Sequence, residues 1–290
     1  MVAVISSLTV FELTYSCKWT MDKQILVPLD SSPISKEVIQ IANDWAMVTG
    51  SEIIFFHVNP KKDKSGKDQL EKLLDEQHIS ANFQAVSSIG ITYQEIIKQE
   101  KSLQPDLIIM AAHSHTVMSR LFLGSNTDHV VQNANCSVYV YRRSAEVLKN
   151  RFIVPLDFTS INKDVVKFAD DWASKEGAKI FFIHVATLPE FAHYNMEHGW
   201  EWDDAEIKSI EADETEKTRS FIEKIKPKSE YEMVIEYGKP YYKIYDLQKR
   251  INAKTIIMAA HSHSLLERII TGSNTKYVLH HSNCPVYVYK

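Results

Sequence analysis

Hydrophobic residues alternate along the chain between two kinds of pattern. Short aliphatic or aromatic runs, such as ILVPLD at 25–30 and IIFFHV at 53–58, are typical of buried strands. The longer stretch at 31–50 has apolar residues at helical spacing, begins Ser-Ser-Pro and closes with glycine, which are helix start and stop signals. This alternation predicts a mainly parallel sheet with helices on both faces, because right-handed crossovers place the helices there.

The front part of this pattern occurs twice. KQILVPLDSS at 23–32 matches NRFIVPLDFT at 150–159, an offset of 127 residues, and Trp45 matches Trp172 at the same offset. A repeat of this length predicts two copies of one domain.

The rear part also occurs twice, at a larger offset. LIIMAAHSH at 107–115 matches TIIMAAHSH at 255–263, and 11 of 18 residues are identical between 124–141 and 272–289, both at an offset of 148. The second copy therefore holds 148 − 127 = 21 additional residues. They fall between its second and third strands, where FAHYNMEHGWEWDD at 191–204 has no counterpart.

The repeats predict a first domain at 21–143 and a second at 149–290, with the 21-residue insertion after the second strand of the latter. Each is predicted to be a doubly wound α/β domain of about five strands. Residues 1–20 are predicted to be a poorly ordered extension, because they lack the cationic start and cleavage site of an export signal. Val-Tyr-Val-Tyr ends each copy as an edge strand, and two such edges can pair and hide their backbone groups.

Composition narrows the classes of partner and of activity. The 290 residues include 33 basic and 37 acidic side chains, a net charge of −4 that offers no strong positive field to nucleic acid or an anionic membrane. No apolar run is long enough to span a bilayer, and three cysteines without a CxxC pair favour a reducing cytoplasm. The sequence has no GxSxG, GxxxxGK[ST], HExxH or GxGxxG motif, which argues against an enzyme.

The repeated segments of this chain resemble those of the universal stress protein family in its tandem, two-domain form. The resemblance is carried by ILVPLDSS and FIVPLDFT, by the HV that ends the second strand, by PDLIIM, and by the GSNT blocks that end in VYVY. It covers nearly all of the chain after residue 21. It implies two adenine nucleotide alpha hydrolase-like domains, paired as in a dimer, in a cytoplasmic, non-enzymatic stress-response protein. The resemblance leaves open whether two such chains form a further homodimer.

Many family members bind ATP through a loop that reads G-x2-G-x9-G-[ST]. Aligned here, this motif falls on Ala111, Ser114, Gly124 and Ser125, and in the second copy on Ala259, Ser262, Gly272 and Ser273. The spacing is kept, but the first two glycines of each motif are not. A Cβ at those positions fills space that a phosphate would approach. We therefore expect the nucleotide-binding loops of both copies to be degenerate. The Gly-Ser pairs still begin a helix, where N–H groups favour an anion.

The resemblance also implies roles for residues at the ends of other strands. Asp30 and Asp157 match the acid that faces the base or ribose, and Val58 and Val185 match the backbone contact to adenine. The aspartates could instead cap the helices that follow them, and the valines could simply belong to the core. Two functions therefore remain: a stress protein with degenerate loops that binds a partner or small ligand, or a sensor that binds ATP or AMP, with or without weak hydrolysis.

The repeated AAHSH segments raise a zinc hypothesis. The candidate ligands are His113, His115, His261 and His263. Alternate residues of an extended segment point to opposite sides, and zinc needs three or four ligands, so further side chains would be required. The candidates for these are His129, His280, His281, His193, His198 and Asp203. The alternative is that the loop histidines form hydrogen bonds within their own loops.

The insertion at 191–204 also has two interpretations. It is either a lid or partner surface, or an irregular segment that packs its tryptophans on the domain.

Overall fold

The computed structural model describes residues 24–59, 65–112, 123–186, 204–260 and 272–290. The predicted extension at 1–20 lies outside these ranges, as do the AAHSH histidines and, apart from Asp204, the insertion. The predicted domain boundaries remain predictions.

Strands and helices alternate in both halves. The first half contains β1 (Gln24–Leu29), α1 (Ser35–Thr49), β2 (Glu52–Asn59), α2 (Ser65–Asp75), β3 (Phe83–Ile89), α3 (Thr92–Leu103), β4 (Leu107–Ala111), α4 (Ser125–Asn133) and β5 (Ser137–Tyr141). The second half contains β6 (Lys149–Leu156), α5 (Ser160–Glu176), β7 (Lys179–Ala186), α6 (Asp204–Ile225), β8 (Tyr231–Tyr237), α7 (Pro240–Ile251), β9 (Ala253–Ala259), α8 (Ser273–His281) and β10 (Val286–Tyr289).

The strands form a single sheet in the order β3-β2-β1-β4-β5-β10-β9-β6-β7-β8. All neighbouring strands are parallel except β5 and β10, which are antiparallel. Each half is therefore doubly wound, and the order reverses beside its first strand. The predicted fold class, two tandem α/β domains of about five mainly parallel strands, is confirmed.

Side chains on successive strand positions enter two separate cores. Ile25, Val27 and Leu29 of β1 pack in the core beneath α1, whereas Leu26 faces the opposite core. Helices α1, α2, α5 and α6 cover the first core, and α3, α4, α7 and α8 cover the second. A sheet buried on both faces explains why its strands read as continuous hydrophobic runs.

The two halves join through the antiparallel pair in the middle of the sheet. Tyr139 lies opposite Tyr287, and Val140 lies opposite Val286. On its other side β5 pairs with β4, and β10 pairs with β9. The predicted pairing of the two Val-Tyr-Val-Tyr edges is confirmed, and it leaves β3 and β8 as the outer strands of the described sheet.

An aromatic seam covers this junction on one face. It comprises Trp45, Tyr139, Phe168, Trp172 and Tyr287. The ring centroids of Trp45 and Trp172 lie 4.8 Å apart in an edge-to-face arrangement, and those of Phe168 and Tyr287 lie 4.4 Å apart. Trp45 also stacks on Tyr287 at 5.9 Å, so α1 of the first half contacts the last strand of the second. Such ring pairs add stabilisation beyond the buried area.

On the opposite face, each half supplies a cation to the last helix of the other. Arg142, which follows β5, donates from Nη2 to the carbonyl of Leu279 in α8 over 2.7 Å. Lys290, which follows β10, donates from Nζ to the carbonyls of Val131 and Ala134 at the end of α4, over 2.7 and 2.5 Å. Cations are favoured at helix C-termini, so these two reciprocal contacts stabilise the junction between the halves.

A charge pair connects α4 and α8 across the junction. Asp128 lies 3.6 Å from Lys276 and 3.8 Å from the Nε2 atom of His280. Asp128 and Lys276 occupy the same position in their copies, since 128 + 148 = 276. The equivalent helices therefore meet through opposite charges.

We predict that Trp45→Ala and Trp172→Ala each lower the free energy of unfolding by about 3 kcal/mol, because each removes a ring from the seam. Urea denaturation followed by circular dichroism measures this change. The control is Tyr242→Ala, which truncates a 54% exposed ring and should change stability by less than about 0.5 kcal/mol. Equal losses in all three variants would contradict a specific role of the seam.

Lys290 gives a pH-dependent prediction. Burial lowers the pKa of its ammonium to about 8, against 10.5 for an exposed lysine. The unfolded state then binds more protons between these pH values, so this group makes stability rise with pH across that window. We expect the wild type to gain stability relative to Lys290→Met from pH 8 to 10.5, measured by urea denaturation. Lys98→Met, which truncates a 77% exposed side chain, should give a flat difference.

Candidate functional site

The strand order reverses at two places, and both are candidate ligand sites. In the first half the reversal lies between β1, which leads into Asp30, and β4, which ends at Ala111. In the second half it lies between β6, which leads into Asp157, and β9, which ends at Ala259. Open α/β sheets place ligands outside the carboxyl ends of strands at such points.

The Asp30 carboxylate holds the turn between β1 and α1. Its Oδ1 atom accepts hydrogen bonds from the backbone N–H of Ser32 over 3.0 Å, from the Ser32 hydroxyl, and from the Ser35 hydroxyl over 2.9 Å. Ser35 Oγ also lies 2.8 Å from the Asp30 carbonyl. The sequence Asp-Ser-Ser therefore folds as an Asx turn before the helix. The N-cap residue of α1 is Ile34, and the described hydrogen bonds of Asp30 do not reach a backbone N–H of α1, so the capping alternative is not confirmed.

Asp157 makes a similar turn in the second half. Its Oδ1 atom accepts hydrogen bonds from the N–H of Thr159 over 3.1 Å and from the Thr159 hydroxyl over 2.6 Å. Phe158 between them has a φ of +63°, an uncommon conformation for an aromatic residue. Asn162 of α5 accepts the backbone N–H groups of Asp157 and Phe158 over 2.6 and 3.1 Å, which holds this conformation in place.

The Gly-Ser pairs lie at helix starts, as predicted. Gly124 precedes α4, and its N–H donates to the carbonyl of Ala112 over 2.8 Å. Thr127 donates from Oγ1 to the carbonyl of Ala111 over 2.9 Å, so the first turn of the helix is attached to the end of β4. In the second half the hydroxyl of the equivalent Thr275 is buried, with no hydrogen-bond partner among the described residues.

The alanines that replace the motif glycines are the last residues of their strands. Ala259 is 4% exposed, and both Ala111 and Ala259 pack against the core beneath α1 and α5. Val58 and Val185, at the ends of β2 and β7, pack against the opposite core. The motif positions Ser114 and Ser262 lie outside the described residues, so their predicted place beside a ligand stays a prediction.

A matched pair of histidines, His57 and His184, escaped the sequence analysis. The Nδ1 atom of His57 lies 2.9 Å from the carbonyl of Leu29, and that of His184 lies 2.9 Å from the carbonyl of Leu156. Because a carbonyl only accepts, Nδ1 is the donor in both contacts. The signal was the HV dipeptide, which recurs at the end of the second strand in both copies.

In the second half the histidine also lies beside a carboxylate, a contact that the described residues of the first half do not give to His57. The Nε2 atom of His184 lies 3.2 Å from Glu214 of α6, and the ring of Phe158 lies 4.4 Å from the His184 ring. A hydrogen bond from Lys217 holds the pKa of the Glu214 carboxyl below its usual value. The equivalent position in the first half, 214 − 148 = 66, is Gly66, where a Cβ would lie 3.2 Å from the His57 ring.

The described residues do not bring a set of metal ligands together. No group of three or more His, Cys, Asp or Glu side chains there could hold a metal ion. His129 stacks on Tyr93 at 4.4 Å, and His281 packs on Tyr277 at 4.1 Å. His113, His115, His261 and His263 lie outside these residues, as do His193, His198 and Asp203, so the zinc hypothesis stays untested.

The two matched cysteines are packing residues. Burial raises the pKa of both the Cys136 and the Cys284 thiol to about 12. Because the thiolate is the nucleophile, such thiols are unreactive at neutral pH. Among the described helices, none is long and apolar enough to cross a membrane.

Comparison with known proteins identifies relatives for the whole arrangement. The sequence profile of the universal stress protein family matches twice, at residues 21–142 and 149–290. Universal stress protein MJ0531 of Methanocaldococcus jannaschii is 26% identical over 148 residues, which cover 51% of this chain and 86% of that protein. Universal stress protein Rv2005c of Mycobacterium tuberculosis is 22% identical over 204 residues, which cover 65% of this chain and 63% of that protein.

Two solved structures share the fold along nearly the full length. A universal stress protein from Archaeoglobus fulgidus is 23% identical with a TM-score of 0.67, covering 92% of this chain and 98% of its own. A functionally unknown protein from Pseudomonas aeruginosa is 17% identical with a TM-score of 0.71, covering 93% of this chain and 92% of its own.

The Asx turn gives a stability prediction for Asp30. We expect Asp30→Ala to lower the free energy of unfolding by about 1–2 kcal/mol, because it removes the acceptor of the hydrogen bonds that Ser32 and Ser35 donate in the turn. Asp30→Asn keeps an acceptor oxygen and should lose much less. Urea denaturation of both variants checks this, and equal stability of the alanine variant and the wild type would contradict a structural role for the carboxylate.

Proposed function

Since the chain belongs to the universal stress protein family, we propose that it is a non-enzymatic stress-response protein of the cytoplasm that works by binding. The proposed ligand is a small anionic molecule held at the carboxyl edge of the sheet. The helix start at Gly124 and Ser125, which lies beside the strand reversal, carries the proposal. An anion there would meet the N–H groups of the first helical turn and the positive end of the helix dipole.

The hydrogen bonds of Asp30 support binding over chemistry. One of its carboxylate oxygens already accepts from Ser32 and Ser35, and these bonds shape the turn. A general base instead needs an oxygen within reach of the proton that it removes. The turn therefore favours a structural role for this acid. Asp157 is held in the same way by Thr159.

An adenine nucleotide is the first class of ligand to consider, and the two halves differ in how well they suit it. In the first half Thr127 attaches the start of α4 to the carbonyl of Ala111, whereas the hydroxyl of the equivalent Thr275 has no hydrogen-bond partner among the described residues. In the second half Phe158 and the His184–Glu214 pair add bulk and charge near Asp157. These differences favour the first half as the ligand site. Binding of a protein partner is the other branch of the proposal, and zinc at the AAHSH histidines is a third candidate.

Native mass spectrometry of freshly purified protein, followed by calorimetric titration with ATP, AMP and zinc, tests the proposal. We expect nucleotide binding to weaken by about tenfold or more in Ser125→Asp, because the added carboxylate repels a phosphate at the start of α4. Ser102→Asp, at an exposed position of α3, is the matched control and should bind as the wild type does.

The titrations separate the candidate ligands. A bound mass or saturable heat that Ser125→Asp removes supports the small-ligand function. Saturable heat with zinc alone would replace it with the metal hypothesis. Protein that carries no ligand and gives no heat with either nucleotide would contradict the proposed small-ligand site and leave the partner-binding branch.

A further inference from the structure

A cleft lies at the amino ends of the second-half strands, whereas the candidate ligand sites lie at the carboxyl ends of the strands. Its volume is about 650 Å³. The start of β6, the end of α5 and the loop before β8 line it. Ligand pockets typically have volumes of about 300–1,000 Å³, so this cleft can hold a small molecule.

Three cations line this cleft: Lys149, Arg151 and Lys179. Arg151 and Lys179 are register partners on β6 and β7, so two like charges stand side by side. Directly opposed like charges destabilise a sheet unless something compensates them. At the equivalent place in the first half, Gln24 donates from Nε2 to Glu52 over 3.1 Å, so the positive pair is specific to the second half.

The carboxylates around the cleft compensate only part of this charge. Lys179 lies 3.0 Å from Glu230 and 3.2 Å from Glu232. Glu230, which lines the cleft, has a 74% exposed side chain that can move away. Arg151 donates from Nη1 to the carbonyl of Ile251 over 3.2 Å and lies 5.7 Å from the ring centroid of Phe181. Neither Arg151 nor Lys149 has an ion pair among the described residues.

Polar groups on the rim of the cleft form hydrogen bonds within the protein. Asn150 donates from Nδ2 to the last carbonyl of α5, that of Glu176, over 2.8 Å. The Asp170 carboxylate accepts the backbone N–H groups of Lys228 and Ser229 over 2.8–3.0 Å, which fixes the loop before β8. The rim is therefore ordered, and these acceptors are already engaged within the protein.

We propose that this cleft binds a small phosphate-bearing anion. Arg151 and Lys149 would contact the phosphate oxygens. Lys179 would exchange its contact with Glu230 for one with the phosphate and keep its contact with Glu232. The ligand class is a compact molecule with at least two negative charges, such as a diphosphate or a phosphate ester. This site is independent of the proposed ligand site at α4, because it lies at the other end of the strands.

Calorimetric titration of the full chain with inorganic pyrophosphate, at low and constant ionic strength, tests this site. We expect Arg151→Gln and Lys149→Gln each to weaken binding by about tenfold, because each removes a cation from the cleft. Glu230→Gln should strengthen binding, because it removes the competing carboxylate. Lys98→Gln, on a 77% exposed side chain of α3, is the matched control and should change nothing.

The variants distinguish this cleft from the helix start at α4. If Ser125→Asp removes pyrophosphate binding and Arg151→Gln does not, the anion sits at α4 and the cleft proposal is wrong. Absence of saturable heat at millimolar pyrophosphate would overturn it as well. Gln24 stands at the position that matches Arg151, so the fold accommodates this substitution. Should Arg151→Gln nevertheless unfold, the opposite effects expected of Lys149→Gln and Glu230→Gln decide the question.

Discussion

The antiparallel pair of β5 and β10 is the contact on which the architecture depends. It converts two five-stranded sheets into one and hides two edges that would otherwise present unpaired backbone groups. The aromatic seam strengthens it on one face, and the exchange of Arg142 and Lys290 strengthens it on the other. These contacts need residues from both copies, and each of the two cores contains residues of both halves. The fixed geometry of the join also sets the positions of α4 and α8, which begin beside the two candidate ligand sites.

Duplication has left the two halves alike in backbone and different in the side chains around their strand ends. Both keep an aspartate turn after the first strand and a histidine that donates to the carbonyl of that strand. At the carboxyl edge, Gly66 of the first half corresponds to Glu214 of the second, and at the amino edge Gln24 corresponds to Arg151. The two halves thus offer different chemical surfaces on the same scaffold. For this reason one ligand is expected at the carboxyl ends of the first-half strands, and a different ligand at the amino ends of the second-half strands.

The repeat made most of the fold predictable. Hydrophobic runs and their period gave the strands and helices, and the Val-Tyr-Val-Tyr segments predicted their own pairing, because an edge strand needs a partner. The motif spacing placed Gly124 and Ser125 at a helix start correctly. The contacts of His57 and His184 could not be predicted, since they join residues 28 positions apart on neighbouring strands. The cleft around Arg151 was missed for a similar reason: it combines the ends of elements that are distant in sequence and carries no local motif.

The meeting of Asp128 with Lys276 has an evolutionary consequence. In an ancestor built from two identical chains, this position would have faced its own copy, and the same charge would have stood on both sides. Fusion into one polypeptide allowed the two positions to mutate separately, and they now carry opposite signs. A return to self-association would set aspartate against aspartate, or lysine against lysine. An exposed pair of this kind contributes at most about 1 kcal/mol, so the opposite charges favour the pairing of unlike halves only slightly.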